Sequence, residues 1–185
     1  MRDIMLDLET LSLDANATVL SIGAVQFDLH TGKMGNTFHI RLPILPQVLN
    51  GSHIDQSTLD WWNKQDITAK DQLIKLKEEN NLDKALIDFN TWIKKHTTDI
   101  KNTRLWGNGV TADNVWIRNL YKRTKIDFIL PYWSDTDVRT LTQLEDYDKV
   151  KSIVGEFNGI KHDAISDCKY QIALCHVSYK LLKED

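Results

Sequence analysis

Apolar positions along the chain follow two different periods. Ile4, Leu6 and Leu8 share one face of a two-residue repeat, which predicts a short first strand over residues 4–8. Residues 19–27 read as a second, mostly buried strand. Residues 37–40 read as a third, antiparallel to the second across a turn at Thr31-Gly32-Lys33. Residues 42–57 contain Pro43 and Pro46 and read as loop, and Ser57 is placed to cap a short helix through Trp61 and Trp62. Residues 66–81 are polar and read as solvated helix or mobile loop. Leu82, Ala85, Leu86, Phe89, Trp92 and Ile93 keep the helical period and give the clearest helix of the chain. A strand at 104–106 runs into Gly107-Asn108-Gly109, and a helix is expected over 112–123. Residues 126–130 read as a further strand, 135–144 as a short helix and 149–156 as another. Ala164, Cys168, Gln171, Leu174, Cys175, Val177 and Leu181 imply a long final helix over 163–182. Strands first, then strands alternating with helices, predict an α/β protein. Its mixed central sheet is a three-strand antiparallel meander plus parallel strands, flanked by helices.

Composition narrows this without redirecting it. A chain of 185 residues is expected to form one domain over 1–185. The hydrophobic share of 42% and charged share of 26% are those of an ordinary globular protein. No apolar run approaches the roughly 18 residues that cross a bilayer, and acids at Asp3 and Asp7 stand where a secretory leader should be apolar. The expected location is cytoplasmic, with no membrane partner. Cys168 and Cys175 lie about 10 Å apart on one helix, too far for a disulfide, and read as small buried hydrophobes. No Cys-x-x-Cys is present, which argues against a thiolate zinc site. The net charge of −3 argues against broad backbone binding to nucleic acid but leaves room for a local site bridged by cations.

Three stretches carry candidate chemistry. On a strand, Asp7 and Glu9 project on one face with Leu8 opposite. Two carboxylates this close repel unless one is protonated or a cation lies between them. Oxygen-only ligands suit magnesium or manganese. Alone, the pair is also what a solvated strand end looks like. In Lys161-His162-Asp163-Ala164-Ile165-Ser166-Asp167, Asp163 can cap the last helix with Asp167 one turn inside. His162 then lies in the preceding loop, free to face whatever Asp167 binds. Alone, this is a capped helix. Asp113 opens the helix after Gly107-Asn108-Gly109, where it also suits the helix dipole. Gly107-x-Gly109-x-x-Ala112 matches a dinucleotide fingerprint with Asp127 as its acid. That reading fails because Asp127 begins its strand and the opening strands form no βαβ unit.

Together these stretches resemble the DEDD superfamily of 3′-to-5′ exonucleases, the DnaQ-like branch of the ribonuclease H-like fold. The order is Asp-x-Glu, a mid-chain Asp opening a helix, then His-x-x-x-x-Asp, here Asp7, Glu9, Asp113, His162 and Asp167. The His variant, DEDDh, is indicated because Asp163 holds the place where the Tyr variant has tyrosine. A narrower resemblance is to bacteriophage exonuclease A, the exonuclease VIII-like proteins and the mycobacterial ribonuclease AS type. It rests on Ser57-Thr58-Leu59-Asp60-Trp61-Trp62-Asn63-Lys64-Gln65 and on Asp137-Val138-Arg139-Thr140.

The resemblance implies a metal-dependent 3′-to-5′ exonuclease, acting at single-stranded DNA or RNA 3′ ends and releasing nucleoside 5′-monophosphates. Two divalent metal ions, Mg2+ or Mn2+, would be held by Asp7, Glu9, Asp113 and Asp167. Asp7 would bridge the two ions, and His162 would be the general base. Thr10, Leu11, Trp62 and Gln65 would bind the terminal nucleotide. One of Trp61 and Trp62 is expected in the core and the other over the substrate. Lys161, Lys169, Arg118, Lys122 and Arg123 are candidate phosphate contacts. A bacterial or phage-infected cytoplasm would be the setting, and a homodimer stays open. The competing readings are a catalytically inactive binding module of the same fold and an endonuclease of the wider group.

Overall fold

The structure is a computed structural model that describes residues 1–184. Strands β1 (Asp3–Thr10), β2 (Val19–Phe27) and β3 (Met34–Arg41) form the expected meander. Helices α1 (Ile44–Leu49), α2 (Gln56–Lys64), α3 (Ile67–Lys75) and α4 (Leu82–His96) follow. Then come β4 (Arg104–Gly107), α5 (Asp113–Thr124), β5 (Asp135–Asp137), α6 (Val138–Thr142), α7 (Tyr147–Val154) and α8 (Ala164–Glu184). The sheet order is β3-β2-β1-β4-β5, with β1 antiparallel to β2 and parallel to β4.

The sheet is covered on both faces, so β1 and β2 are buried almost throughout. Ile4, Leu6 and Leu8 pack with Leu86, Phe89 and Ile93 of α4 and Ile117 and Leu120 of α5. Met5, on the other face, packs with Val25, Phe27 and Trp106 against Cys168, Ile172 and Cys175 of α8. The pleat therefore turns Asp7 and Glu9, in phase with Met5, toward α8. Both cysteines are free and buried.

Several elements differ from expectation. Residues 126–130 are not a strand. Phe128 packs on Tyr121 at 4.6 Å. Asn90 bonds the carbonyl of Asp127 and the amide of Ile129, while Arg118 bonds the carbonyls of Leu130 and Pro131. Side chains thus satisfy the backbone that a ladder would otherwise have paired. The fifth strand is Asp135–Asp137, inside the stretch expected to be helical, and only Val138–Thr142 is helix there. The cap of α2 is Asp55, which accepts the amide of Ser57, rather than Ser57 itself. The expected loop over 42–57 contains α1, whereas the polar 66–81 stretch takes the helical one of its two expected forms as α3, with Ala69 buried. No helix among the described residues is long and apolar enough to cross a membrane.

Helix α1 is anchored by one fully buried residue. Gln47 accepts the amide of Val19 at 2.9 Å and donates to the carbonyls of Val19 and Pro43 at 2.8 and 2.9 Å. Val19 lies where the β1–β2 ladder shifts register. Gln47→Leu is expected to cost about 2–4 kcal/mol, because it strands buried polar groups at Val19. Urea denaturation reads this directly, and a loss under half that size would show that the backbone finds other partners.

Candidate active site

Asp7 and Glu9 stand near the C-terminal end of β1, and Glu9 is 7% exposed. The amide of Leu8, between them, donates to Asp113 Oδ1 at 3.0 Å, a contact across 105 residues of sequence. Asp113 arrives there because β4 lies beside β1 and turns directly into α5. That turn is tight: a Cβ on Gly107 would stand 2.1 Å from Asn114 Oδ1, so only glycine fits.

Helix α8 delivers the remaining groups. A Cβ on Gly23 would meet the Ala164 Cβ at 2.4 Å, so the first turn of α8 can lie directly on β2. Asp163 caps the helix, accepting the Ser166 amide at 3.0 Å and its hydroxyl at 2.7 Å. His162 has φ +62°, a left-handed conformation uncommon outside glycine, asparagine, aspartate and histidine. Its amide donates to Asp167 Oδ2 at 3.0 Å, which holds that conformation. Donor atoms of Glu9, His162 and Asp167 all lie within 4.8 Å of one another. Gln171, one turn beyond Asp167, donates its Nε2 to Asp7 Oδ1 at 2.9 Å and leaves its buried Oε1 without a partner.

The balance of electrostatics at this centre is unfavourable to negative charge. Burial pushes Asp7 well above the usual carboxylate range, and repulsion from Asp113 and Asp167 adds to it. Burial does the same to Glu9, with Asp7, Asp167 and Asp113 adding. Asp113 is raised to about 6 by burial, against amide bonds from Leu8 and Asn108 and the field of Arg139. Asp167 is raised to about 6, again by burial, offset by the His162 amide. Among the described residues none of the four makes an ion pair. A largely buried oxygen-only donor set with no ion-pair partner fits hard divalent cations. His162 is held below the usual imidazole range by burial and by Lys161. Its ring meets Trp61 edge to face, with centroids 4.8 Å apart.

A cavity of about 360 Å³ adjoins Glu9, walled by Leu8, Thr10, Leu13, Trp61, Trp62 and Trp116. The tryptophan pair splits, but the residue expected over the substrate, Trp62, is the more buried of the two. Trp62 is buried, with its indole N–H on the Thr10 carbonyl at 2.9 Å, and Trp61 is 41% exposed. Thr10 and Trp62 therefore line the cavity. Leu11 does not: its amide bonds Thr18, and its side chain packs into the core beside Leu20 and Trp62. Gln65 lines a neighbouring cleft with Lys161 and His162. Leu13 and Trp116 escaped the sequence reading. Trp116 was findable, three residues after Asp113 and so on its helix face. Leu13 lies in a loop and gave no periodic signal. Two of the candidate phosphate contacts are structural. Arg118 pairs with Asp135, and Arg123 bonds the Ala17 carbonyl. Lys122, Lys161 and Lys169 are exposed.

A mixed sheet with helices on both faces that brings Asp7, Glu9, Asp113, His162 and Asp167 together beyond the end of β1 has the fold of ribonuclease H-like nucleases. The chain belongs to the Rv2179c-like 3′-5′ exoribonuclease domain family, whose model matches residues 2–179. It is 22% identical over 199 residues to an exodeoxyribonuclease of Enterobacteria phage T4, across 94% of this chain and 87% of that protein. Its fold is similar to the nuclease domain of 3′hExo, a DEDDh family member bound to rAMP. The TM-score there is 0.62 at 12% identity, covering 98% of this chain and 92% of that one. The E. coli ExoI–ssDNA complex in its zinc-bound form gives a TM-score of 0.61 at 17% identity, covering 98% of this chain and 41% of that one. The protein is thus an exonuclease, and its family implies divalent metal ions as cofactors.

Proposed function

We propose that the protein removes nucleotides one at a time from single-stranded DNA or RNA 3′ ends, releasing nucleoside 5′-monophosphates. The observation that carries this is four clustered carboxylates, Glu9 and Asp113 buried and Asp7 and Asp167 half-buried, none in an ion pair, beside an aromatic cavity that no lysine or arginine lines. Asp7, Glu9, Asp113 and Asp167 would hold two divalent ions, Mg2+ or Mn2+. Bound ions supply water activation and neutralise charge on the phosphate and the leaving oxygen. The imidazole of His162, kept neutral by burial, accepts the proton of the attacking water. The water oxygen bonds to phosphorus, the P–O3′ bond breaks, and the departing 3′-oxygen is protonated from solvent. Thr10 and Trp62 seat the terminal nucleoside, and the more exposed ring of Trp61 offers it a surface to pack against. Leu11 supports Trp62 from behind, and Gln65 borders the same centre through the cleft beside His162.

The family description names an exoribonuclease and the phage relative an exodeoxyribonuclease. One time course addresses both sugar and polarity: 5′- and 3′-labelled RNA and DNA of one sequence, with magnesium, manganese or chelator. The expected result is a metal-dependent ladder that shortens from the 3′ end, stronger on one sugar. Internal cuts, or shortening in chelator, would overturn the reading.

A further inference from the structure

A second cleft, of about 490 Å³, also reaches the carboxylate centre. Asp167 lines it together with Gln171, the partner of Asp7, whereas Glu9 lines the aromatic cavity. Glu9 and Asp167 offer oxygens within 4.8 Å of each other, so the two cavities meet at the centre. Their chemistry differs. No lysine or arginine lines the aromatic cavity. The second cleft carries Arg139, with Asn108, Gln143, Tyr147 and Tyr170 around it.

Arg139 is exposed and uses one guanidinium nitrogen, Nε, on Asn108 Oδ1 at 3.3 Å. Among the described residues its two Nη groups have no partner. Its backbone, by contrast, is fixed. Asp137 accepts the amides of Gly109 at 3.1 Å and Arg139 at 3.2 Å, which ties the start of α6 to the loop after β4. The result is a positioned cation with a free donor edge beside the reacting centre.

A 3′ strand end is asymmetric in charge. The terminal nucleoside has a free 3′-hydroxyl and no phosphate beyond it. The strand running 5′ from the scissile bond carries one anionic phosphate per nucleotide. The aromatic cavity, which has no basic residue to hold a phosphate, matches the first and the arginine cleft the second. The geometry points to Arg139 as the residue that binds the phosphate on the 5′ side of the penultimate nucleoside. Tyr147, exposed in the same cleft, offers its ring to that nucleoside's base. The assignment rests on the exonuclease reading above. It adds strand direction and a minimum good substrate, a dinucleotide bearing a 5′-phosphate.

The test compares kcat/KM for a 5′-phosphorylated dinucleotide and the same dinucleoside monophosphate lacking that phosphate. Wild type, Arg139→Ala and Arg139→Lys are measured with saturating metal. A charge-assisted contact at an accessible site predicts a wild-type preference of about tenfold for the phosphorylated form. Arg139→Ala should bring the ratio close to one, and Arg139→Lys should keep part of it. A uniform loss through the field of Arg139 on Asp113 cancels in the ratio. The proposal is overturned by a wild-type ratio near one, by a preference that survives Arg139→Ala, or by dinucleotides being inert while longer strands are cut. Inertness of the wild type toward all 3′ ends would instead sink the exonuclease reading itself.

Discussion

Asp7→Asn should lower exonuclease activity by at least about 10³-fold, the equivalent of the several kcal/mol that metal coordination contributes to the transition state. Asn keeps the shape and can still bond Gln171, so the fold should survive. It also removes one member of a mutually repelling group, so metal-free stability should hold or rise. His162→Ala makes the useful contrast. Loss of a general base costs about 10²–10⁴ in rate, yet the carboxylates that bind metal remain. Magnesium or manganese titration by calorimetry, run beside steady-state rates, separates the two. Full activity in Asp7→Asn would refute the assigned centre. An equal loss of metal affinity in His162→Ala would make His162 a ligand, which its closeness to Glu9 and Asp167 renders a real alternative.

The second large effect is on stability without metal. Asp113 and Asp167 titrate near 6 in the folded chain, and Asp7 and Glu9 above the usual range. Unfolded, all four fall to about 4. Between those values the folded protein holds protons that the unfolded chain has released, so stability declines as pH rises through the window. At Asp113 alone the displacement corresponds to about 3 kcal/mol. His39 and His162, both held below the usual imidazole range, act the other way, adding stability as pH rises toward and through about 6.5. Four acids outweigh two imidazoles. In chelator the melting temperature should therefore fall as pH rises from about 4 through about 6. A divalent cation at about 100 times its Kd should return about 2.7 kcal/mol at the upper end. Asp7→Asn should flatten both responses. A flat or rising course in chelator would mean that the carboxylates carry no such burden.

Much of the architecture was legible because periodicity reports burial. The meander, α4, α5 and α8 all follow from apolar spacing and caps. What failed was local. Residues 126–130 have strand composition, yet distant side chains, Asn90 and Arg118, take their backbone partners, and no short-range pattern encodes that. Strand β5 is only three polar residues whose state is set by pairing with β4. At the site, Asp7, Glu9, Asp113, His162 and Asp167 could be named because their order and spacing are distinctive, and the structure brings them together. The cavity walls could not be assigned with equal success. Leu11 and Leu13 are the same residue type two positions apart, and the turn of the chain after Thr10 decides that one is core and the other 79% exposed.

The amide bond from His162 to Asp167 has a bearing on how this centre is dissected. Asp167 is at once an oxygen donor at the centre and the clamp on the loop that carries the imidazole. Substituting it perturbs two functions together, so the rate lost there is not a measure of either. Summing single-site losses at 162 and 167 would count the imidazole's placement twice. The thermodynamic weight of each residue is separable only in a variant that keeps a side-chain acceptor for the His162 amide at 167, as Asp167→Asn does.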